Sequence, residues 1–323
     1  MILLGIAIGG TKCNAVLGVE ENGELRVLGQ KTVVTKAHPD PYEMLDVLCG
    51  LGDELLTEHG YDKPAAVGIA CGSPMDNVRG IVQSPSGLPG WDDIPAKAIV
   101  ETHFGVPAYL ENDANGGALA EWRFGAAKGC SHCMFITFGT GFGSGLILNG
   151  RLYTGANDMA GEIGHIRLTR FGPVGCSKMG SVEGYCSGGG IPQIARDLCL
   201  EELMQGHKPS LCPSRELLGT LTAKNVAEAA YAGDPIAKRV YEISGEKLGE
   251  ILSVIIDIIN PEMIVIGSIF ARAESLLRPA MERVIERETF RVSRENCRIV
   301  PAALGDAVDQ YEALSIASYY VYG

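Results

Sequence analysis

Residues 4–12 read LGIAIGGTK, and this stretch is the strongest indication of the fold. Apolar residues run directly into a double glycine, a threonine and a lysine, and a second apolar segment, CNAVLGV (13–19), follows. Glycine lets a backbone approach its neighbours closely, and successive N–H groups in such a turn can bind an anion. The stretch therefore predicts a strand that feeds a phosphate-binding turn, with an ordinary tight hairpin as the alternative.

The same pattern returns in residues 133–152, which read CMFITFGTGFGSGLILNGRL. Both stretches pass from an apolar strand through a Gly/Thr turn into a second strand and then reach an Asn-Gly hairpin signal, Asn22-Gly23 and Asn149-Gly150. A spacing of about 130 residues indicates duplication of a supersecondary unit rather than a short-period repeat. The boundary between the two copies is expected between residues 113 and 133, and the second turn strengthens the prediction of phosphate binding.

The remaining periodicity predicts alternating strands and helices. Strands are expected at AAVGIACG (65–72), PAYLENDA (107–114), MIVIGS (263–268) and CRIVPA (297–302). Helices are expected at 41–60, at 114–125, within 188–204 and 222–259, at about 272–287 and from about 307, with a glycine-rich loop region at 155–190. This order predicts an α/β fold with two similar lobes and a phosphate between their turns.

Composition excludes several classes of function. The net charge of −12 disfavours nucleic acid and anionic membrane surfaces as partners. The longest apolar run, ILSVIIDIINPEMIVIG, is interrupted by Asp257 and Asn260-Pro261, which favours a buried helix and strand over a membrane span. No secretory segment follows Met1, so the ten cysteines are expected to be reduced thiols in the cytoplasm.

The stretch LENDANGGALAEW places Glu111, Asn112 and Asp113 where a buried strand ends and a helix begins. Polar residues at the carboxyl end of a strand in an α/β sheet face the ligand crevice. Asp113 could therefore act as a general base on an alcohol, while Asn112 could fix a substrate hydroxyl. The alternative is that Asp113 only caps the following helix.

Two further groups could carry chemistry. In AGEIGHI, Glu162 and His165 would share a face of a turn or short helix and could bind adjacent sugar hydroxyls, although a surface ion pair or a structural histidine would look the same. Zinc is disfavoured at His165, Cys176 and Cys186, because structural zinc sites use closely spaced cysteine pairs. Cys130 and Cys133 have that spacing but no partner pair, so free thiols are expected.

Taken together, these motifs resemble the ROK family of sugar kinases and repressors, within the hexokinase–actin–Hsp70 superfold. The resemblance spans nearly the whole chain and rests on GIAIGGTK, ENDAN, FGTGFGSG, GEIGHI, the stretch from Glu183 to Ser187-Gly188, and NPEMIVIGS. It implies a two-lobed actin-like ATPase (ribonuclease H-like) fold with a central cleft. The expected lobes are residues 1–113 with the closing helix at about 307–323, and residues 114–306.

The resemblance also implies roles for individual residues. Asp113 would be the catalytic base in ATP-dependent phosphorylation of a sugar hydroxyl. The sugar would be held by Asn112, Glu162, His165 and Glu183. The ATP phosphates would be held by Gly9, Gly10, Thr11, Lys12, Gly139, Thr140, Gly141 and Gly143, with Gly267 near the adenosine. Mg²⁺ would arrive bound to ATP, and the family commonly forms homodimers.

Three positions depart from the family pattern. Ala7 stands where the family usually has an aspartate that helps to position the metal-bound phosphates. Val174 and Ser181 stand where two zinc-binding cysteines are usual, so no structural zinc is expected. In the loop PSGLPGW (85–91), Gly87 replaces an asparagine that usually lies near the sugar, which leaves the identity of the sugar open.

Three functions follow from these observations. A hexose or N-acetylhexosamine kinase is the first, because phosphoryl transfer depends mainly on positioning and charge neutralisation and can tolerate Ala7. The second is a catalytically weak or silent sugar- or nucleotide-binding protein. A repressor is disfavoured, because the acidic chain begins at the GGT strand and shows no preceding helix-turn-helix.

Overall fold

The computed structural model describes residues 1–85 and 87–322. The strands are β1 (Ile2–Ile8), β2 (Lys12–Glu21), β3 (Glu24–Val34), β4 (Ala66–Cys71), β5 (Met75–Asp76), β6 (Ile81–Val82), β7 (Ala108–Asn112), β8 (Cys133–Phe138), β9 (Phe142–Leu148), β10 (Arg151–Tyr153), β11 (Val174–Gly175), β12 (Lys178–Met179), β13 (Met263–Ile266) and β14 (Arg298–Pro301). The α-helices are α1 (Pro41–Glu58), α2 (Ala96–Phe104), α3 (Asp113–Phe124), α4 (Val182–Tyr185), α5 (Ile191–Met204), α6 (Ala223–Tyr231), α7 (Pro235–Ile259), α8 (Ile269–Glu288), α9 (Arg291–Asn296) and α10 (Val308–Tyr322).

The opening strands form the predicted hairpins. β1 pairs antiparallel with β2, from Ile8 opposite Cys13 to Ile2 opposite Val19. β2 then turns into β3 through Asn22 and Gly23, whose φ angles of 55° and 77° are those of a two-residue hairpin turn. The prediction from the Asn-Gly signal is therefore confirmed.

The first sheet has the strand order β3-β2-β1-β4-β7. β1, β4 and β7 run parallel, so their carboxyl ends, which include Ile8, Cys71 and Asn112, meet at one edge of the sheet. Strand alternation divides the core between the two faces. Leu4, Ile6 and Ile8 belong to the cluster that contains α1 and α2, whereas Leu3 lies with Leu314 and Ala317 of α10.

Helix α10 approaches this sheet unusually closely. A Cβ atom placed on Gly68 of β4 would lie 1.9 Å from the carbonyl oxygen of Ala313, and one on Gly5 of β1 would lie 2.8 Å from the Ala313 Cβ. Only glycine permits this contact, because the backbone of α10 occupies the space of a side chain. α10 also packs against α3, which begins at Asp113.

The second sheet has the order β10-β9-β8-β13-β14. β9 and β10 are joined through Asn149 and Gly150, with φ angles of 54° and 67°, so the second Asn-Gly prediction is confirmed as well. Each sheet thus carries three consecutive strands at one edge, as expected from a duplicated unit. The run that contains Asp257 divides at Asn260 into the end of α7 and the buried strand β13.

The chain forms two compact units. The first contains residues 1–135, 145–161 and 303–323, and the second contains residues 136–144 and 162–302. The lobe boundary at residues 113 and 114 remains a prediction. Among residues 1–85 and 87–322, none of the helices combines the length and the apolar character that crossing a bilayer requires.

Candidate active site

The first glycine turn joins β1 to β2 and is exposed at Gly10, Thr11 and Lys12. Thr35 fixes it from both sides, because its hydroxyl donates to the Gly9 carbonyl at 2.6 Å and its N–H donates to the Thr11 carbonyl at 3.1 Å. A Cβ atom on Gly10 would lie 2.6 Å from the carbonyl oxygen of Gly87. The turn is therefore held in one conformation and tolerates no side chain at Gly10.

Lys12 carries the only side-chain charge of this turn. Its ammonium lies 3.3 Å from the carboxylate of Asp309 on α10, and both side chains are about half exposed, at 55% and 53%. An exposed pair of this kind contributes little to stability and can exchange partners readily. The ammonium thus remains able to meet an anion at the turn.

Ala7 lies in the middle of the first sheet, opposite Asn14 of β2 and Ala70 of β4. The side-chain oxygen of Asn14 accepts a hydrogen bond from the Thr32 hydroxyl at 2.7 Å. The residue that departs from the family pattern is therefore a partly buried strand residue just before the turn, and a methyl group takes the place of a carboxylate there.

The end of β7 shows which residue caps α3. Asn112 is the N-cap of α3: its side-chain oxygen accepts from the N–H groups of Ala114 and Asn115, and its amide donates to the Ser73 hydroxyl at 2.8 Å. Asp113 is the first residue of the helix. Asn112, and not Asp113, is therefore the residue that caps α3.

Asp113 itself is exposed. One of its carboxylate oxygens accepts from the Ala114 N–H at 2.8 Å. Its negative charge adds to burial in raising the pKa of the Cys71 thiol, and it has the same effect on the carboxyl of Glu312 on α10. The Asp113 carboxylate is therefore oriented by the first turn of α3 and lies in a locally negative environment.

A loop between β4 and α2 borders this strand end. Asn112 bonds to Ser73, and the residues that follow Ser73 line a cavity of about 540 Å³ together with Asn157, Asp158 and Met159. Gly87, where the family usually has asparagine, is in this loop, and a Cβ atom there would make only an ordinary 3.7 Å contact with Gly10. Ser86 of the predicted PSGLPGW loop lies outside the described residues.

In the second unit, Glu183 holds the second glycine turn. One carboxylate oxygen accepts from the Phe142 N–H at 3.1 Å, and the other accepts from the Cys176 N–H at 2.7 Å. A Cβ atom on Gly141 would lie 2.8 Å from the first of these oxygens. The residue proposed to bind the sugar therefore also shapes the turn proposed to bind phosphate.

Three glycine-containing segments meet at this second turn. The Gly188 N–H donates to the Gly139 carbonyl at 2.8 Å. A Cβ atom on Gly139 would lie 3.6 Å from the hydroxyl of Ser268, which follows Gly267 and precedes α8. The Gly267 N–H is bonded to the Ile136 carbonyl at 2.9 Å. The predicted phosphate turn thus lies beside the start of α8, whose first turn is separated from the rest of the helix by a kink at Ala273.

Glu162 and His165 lie at the two ends of one 3₁₀ helix, as expected. The imidazole Nε2 is 3.9 Å from the Glu162 carboxylate, which is too long for a hydrogen bond. The histidine side chain is 55% exposed. Both side chains therefore retain the capacity to bind another polar group, and the surface ion pair remains the alternative.

The region expected to lack zinc is a small hairpin of β11 and β12. Val174 is exposed, Ser181 is buried and donates to the Gly175 carbonyl, and all ten cysteines are free thiols. Burial, with the nearby charges of Glu183 and Glu162, raises the pKa of the Cys176 thiol to about 12. Within the described part of the chain, no cluster of three His, Cys, Asp or Glu side chains is arranged to hold a metal.

Several residues near these sites were not predicted. Asp309 and Glu312 lie on α10, which is remote from the first glycine turn and from α3 in the sequence. Asp309 forms an ion pair with Lys12, and Glu312 interacts electrostatically with Asp113. Ser268 has an unusual backbone conformation, with φ of 56°, that no local signal indicated. Glu111 was part of the ENDAN motif but had no assigned role, and it is completely buried.

Comparison with known proteins identifies the class. The ROK family model matches residues 3–317, so this chain belongs to the ROK family. A glucokinase from Halalkalibacterium halodurans is 36% identical over 255 residues, covering 75% of this chain and 76% of the relative. A putative xylose repressor from a Caldicellulosiruptor species is 25% identical over 312 residues, covering 94% of this chain and 75% of the relative.

The fold matches solved members of the same family. The crystal structure of a ROK family glucokinase from Streptomyces griseus, in complex with glucose and AMPPNP, superposes with a TM-score of 0.77 and 28% identity. The match covers 98% of this chain and 99% of that chain. The α/β fold expected from the duplicated hairpins is therefore confirmed, and the relatives include both sugar kinases and a repressor.

Proposed function

We propose that the protein transfers the γ-phosphoryl group of ATP to a hydroxyl of a hexose or N-acetylhexosamine, with Asp113 as the general base. The observation that carries this proposal is that Asn112 and Asp113 have different positions at the end of β7. Asn112 caps α3, which leaves the carboxylate of Asp113 exposed at the first helical position. The cap is made by Asn112, and the exposed carboxylate of Asp113 beside it is accessible to a substrate hydroxyl.

In this reaction, Asp113 accepts the proton of the sugar hydroxyl as its oxygen attacks the phosphorus. General base catalysis of this kind contributes about 10²–10⁴-fold to the rate. Asn112 retains a second amide N–H for a sugar hydroxyl, while Glu162, His165 and Glu183 supply further polar groups for the sugar. Each Glu183 oxygen already accepts one backbone N–H and has a second lone pair available.

The phosphates are proposed to lie at the two glycine turns. Gly9, Gly10, Thr11 and Lys12 offer backbone N–H groups and one ammonium. In the second turn, Gly139 lies near Ser268 at the start of α8. Thr140, Gly141 and Gly143 are proposed to complete this phosphate site, with Gly267 near the adenosine. These donors suit phosphate oxygens rather than a metal ion. Mg²⁺ would neutralise phosphate charge while held by ATP and water, because position 7 offers it no carboxylate.

A coupled assay of ADP release against a panel of hexoses and N-acetylhexosamines tests this function. We expect saturable, sugar-dependent turnover with at least one sugar and only a slow background with none. A protein that binds sugar and ATP by calorimetry but releases no ADP would instead be the silent binding protein that Ala7 suggests. The oligomeric state in solution tests the predicted homodimer. The location of the protein in cells tests the predicted cytoplasmic placement.

A repressor is the function of some relatives, and the charge of this chain is the observation that bears on it. Duplex DNA is polyanionic, and proteins bind it largely through lysine and arginine. The net charge of −12 opposes such binding. Binding of labelled duplex DNA at low salt, weakened by sugar, would support the repressor instead of the kinase.

A further inference from the structure

Glu111 is a carboxylate without exposure to solvent at the end of β7, directly before the cap residue Asn112. One of its oxygens accepts from the side-chain amide of Asn115, in the first turn of α3, at 3.0 Å. The other accepts from the hydroxyl of Tyr320, near the end of α10, at 2.5 Å. Glu111 therefore connects a strand end to two helices that are distant in the sequence.

The loop after β4 lies beside the same carboxyl group. Asn77 of this loop lines one cavity with Glu111 and Tyr320, and its backbone N–H donates to the Asp158 carboxylate at 3.0 Å. The Tyr320 ring stacks on Tyr109 of β7, with centroids 4.8 Å apart and planes 11° apart. We call Glu111, Asn115 and Tyr320 the Glu111 network.

All partners of Glu111 in this network are neutral donors. A buried carboxylate is expensive unless hydrogen bonds satisfy it, and burial accordingly raises the pKa of Glu111, against the opposing effect of the bonds from Tyr320 and Asn115. A leucine would fill such a position at lower cost if the role were only packing. We therefore infer that the Glu111 carboxylate serves to orient its hydrogen-bond donors, Asn115 and Tyr320.

Those groups surround the proposed base. Asn115 is the third residue of α3, and its backbone N–H is also bonded to Asn112. The Glu111 and Asn112 side chains thus both hydrogen-bond to the first turn of α3, and Asp113 belongs to that turn. A small rotation of the turn would move the carboxylate of Asp113, which makes a 2.8 Å bond to the next N–H within it.

We propose that Glu111 is a positioning residue for the reaction: through Asn115 and Tyr320 it fixes the first turn of α3, and with it the carboxylate of Asp113. This inference rests on the proposed kinase function. It differs from a purely structural role because it predicts a loss in turnover that is separable from loss of stability. A misplacement of the order of 1 Å can lower a catalysed rate by about 10²-fold.

The test compares Glu111→Gln with a matched control, Glu121→Gln. Glu121 is a second buried carboxylate at the other end of α3, and it accepts from the backbone N–H groups of Ala126, Ala303 and Leu304. Glutamine keeps the size of each side chain and replaces one acceptor oxygen by a donor. At a temperature well below unfolding, we expect kcat of Glu111→Gln to fall about tenfold with little change in the sugar KM. Glu121→Gln should keep kcat within about twofold of the parent.

Tyr320→Phe is the milder variant, because it retains the ring stack and removes only the hydroxyl. It should lower kcat in the same direction by a smaller factor. Hydrogen exchange of the peptide that covers residues 112–119 provides a second readout that needs no activity. Exchange there should be at least about threefold faster in Glu111→Gln than in the parent or in Glu121→Gln.

The outcomes separate this inference from the proposed function. If the parent phosphorylates a sugar and Glu111→Gln retains its kcat, the positioning role is wrong and the kinase function stands. If the parent phosphorylates no sugar, the kinase function fails, and hydrogen exchange alone decides whether Glu111 orders the turn. Unchanged exchange in residues 112–119 would overturn the inference in either case.

Discussion

The ammonium of Lys12 and the carboxylate of Asp309 form an ion pair at 3.3 Å between the first glycine turn and α10. In the proposed reaction, an ATP phosphate competes with Asp309 for the same ammonium. The pair thus sets the charge that the turn presents to an incoming anion.

Asp309→Asn should therefore lower the KM for ATP. An exposed pair contributes up to about 1 kcal/mol, so the expected decrease is about two- to fivefold at low salt. The effect should shrink as salt is added, because exposed charges are screened. Asp46→Asn makes the same charge change at an exposed position of α1 and serves as the control. Equal effects of the two variants would mean that only net charge matters.

Asp113→Asn should abolish phosphoryl transfer and spare sugar binding. The amide keeps the size and part of the hydrogen bonding of the carboxylate but cannot accept the hydroxyl proton, so a loss of about 10²–10⁴-fold in kcat is expected. The measurement is kcat by coupled assay, with the sugar Kd by calorimetry for comparison. Turnover within twofold of the parent would reduce Asp113 to a residue that merely begins α3.

Ala7→Asp should restore an acceptor for a metal-bound water near the first turn. The variant is expected to need less Mg²⁺ for half-maximal rate and to turn over faster, because the carboxylate would help to hold the Mg²⁺–phosphate. Each tenfold gain corresponds to about 1.4 kcal/mol off the barrier. Without metal, the added charge should repel ATP and weaken its binding in calorimetry. An unchanged Mg²⁺ midpoint together with unchanged turnover would show that position 7 does not face the metal.

Glu312→Gln should stabilise the protein, and more at high pH than at low pH. Burial raises the pKa of Glu312 well above its usual range, the charges of Asp113 and Asp309 add to this rise, and Lys12 opposes it. A raised pKa in the folded state means that stability decreases as pH rises from about 4.5 through the folded pKa. At pH 8 the neutral variant should melt about 2–4 °C higher, and at pH 4.5 the difference should nearly vanish. Calorimetry at both pH values checks this, and a pH-independent shift would assign the effect to packing.

The purified protein should contain no stoichiometric zinc, because valine and serine occupy two positions of the family's ligand set. Elemental analysis provides the measurement, and incubation with a chelator should leave the melting temperature unchanged. One zinc per chain would require ligands other than His165 and Cys176.

The sequence predicted most of the fold because its strongest signals are local. The double glycine at Gly9 and the Asn-Gly pair at Gly23 define hairpins within a few residues, and the structure contains both. The helix expected at about 272–287 agrees with the part of α8 that follows the kink at Ala273. The short helical turn from Ile269 was not predicted, and it begins where the chain turns sharply at Ser268. That turn depends on backbone geometry that single residue preferences do not reveal.

The candidate site was less predictable, because its decisive contacts join remote segments. Local spacing left open whether Asp113 is a general base or the cap of α3, and only the backbone at the end of β7 assigns the cap to Asn112. Asp309, the partner of Lys12, and Tyr320, one of the partners of Glu111, both lie on α10, which follows the whole second unit in the chain. Composition and periodicity contain no information about such pairings.

The close packing of α10 on Gly5 and Gly68 has a consequence for biosynthesis. On the ribosome, β1 and β4 emerge long before α10, the helix that covers one face of these strands. The side chains of Leu3, Val16 and Ala66 therefore remain exposed while the entire second unit is synthesised. The first unit is thus the first to begin and the last to finish folding. Shielding of that face by a chaperone during translation would matter more for this chain than for one whose domains are completed in order.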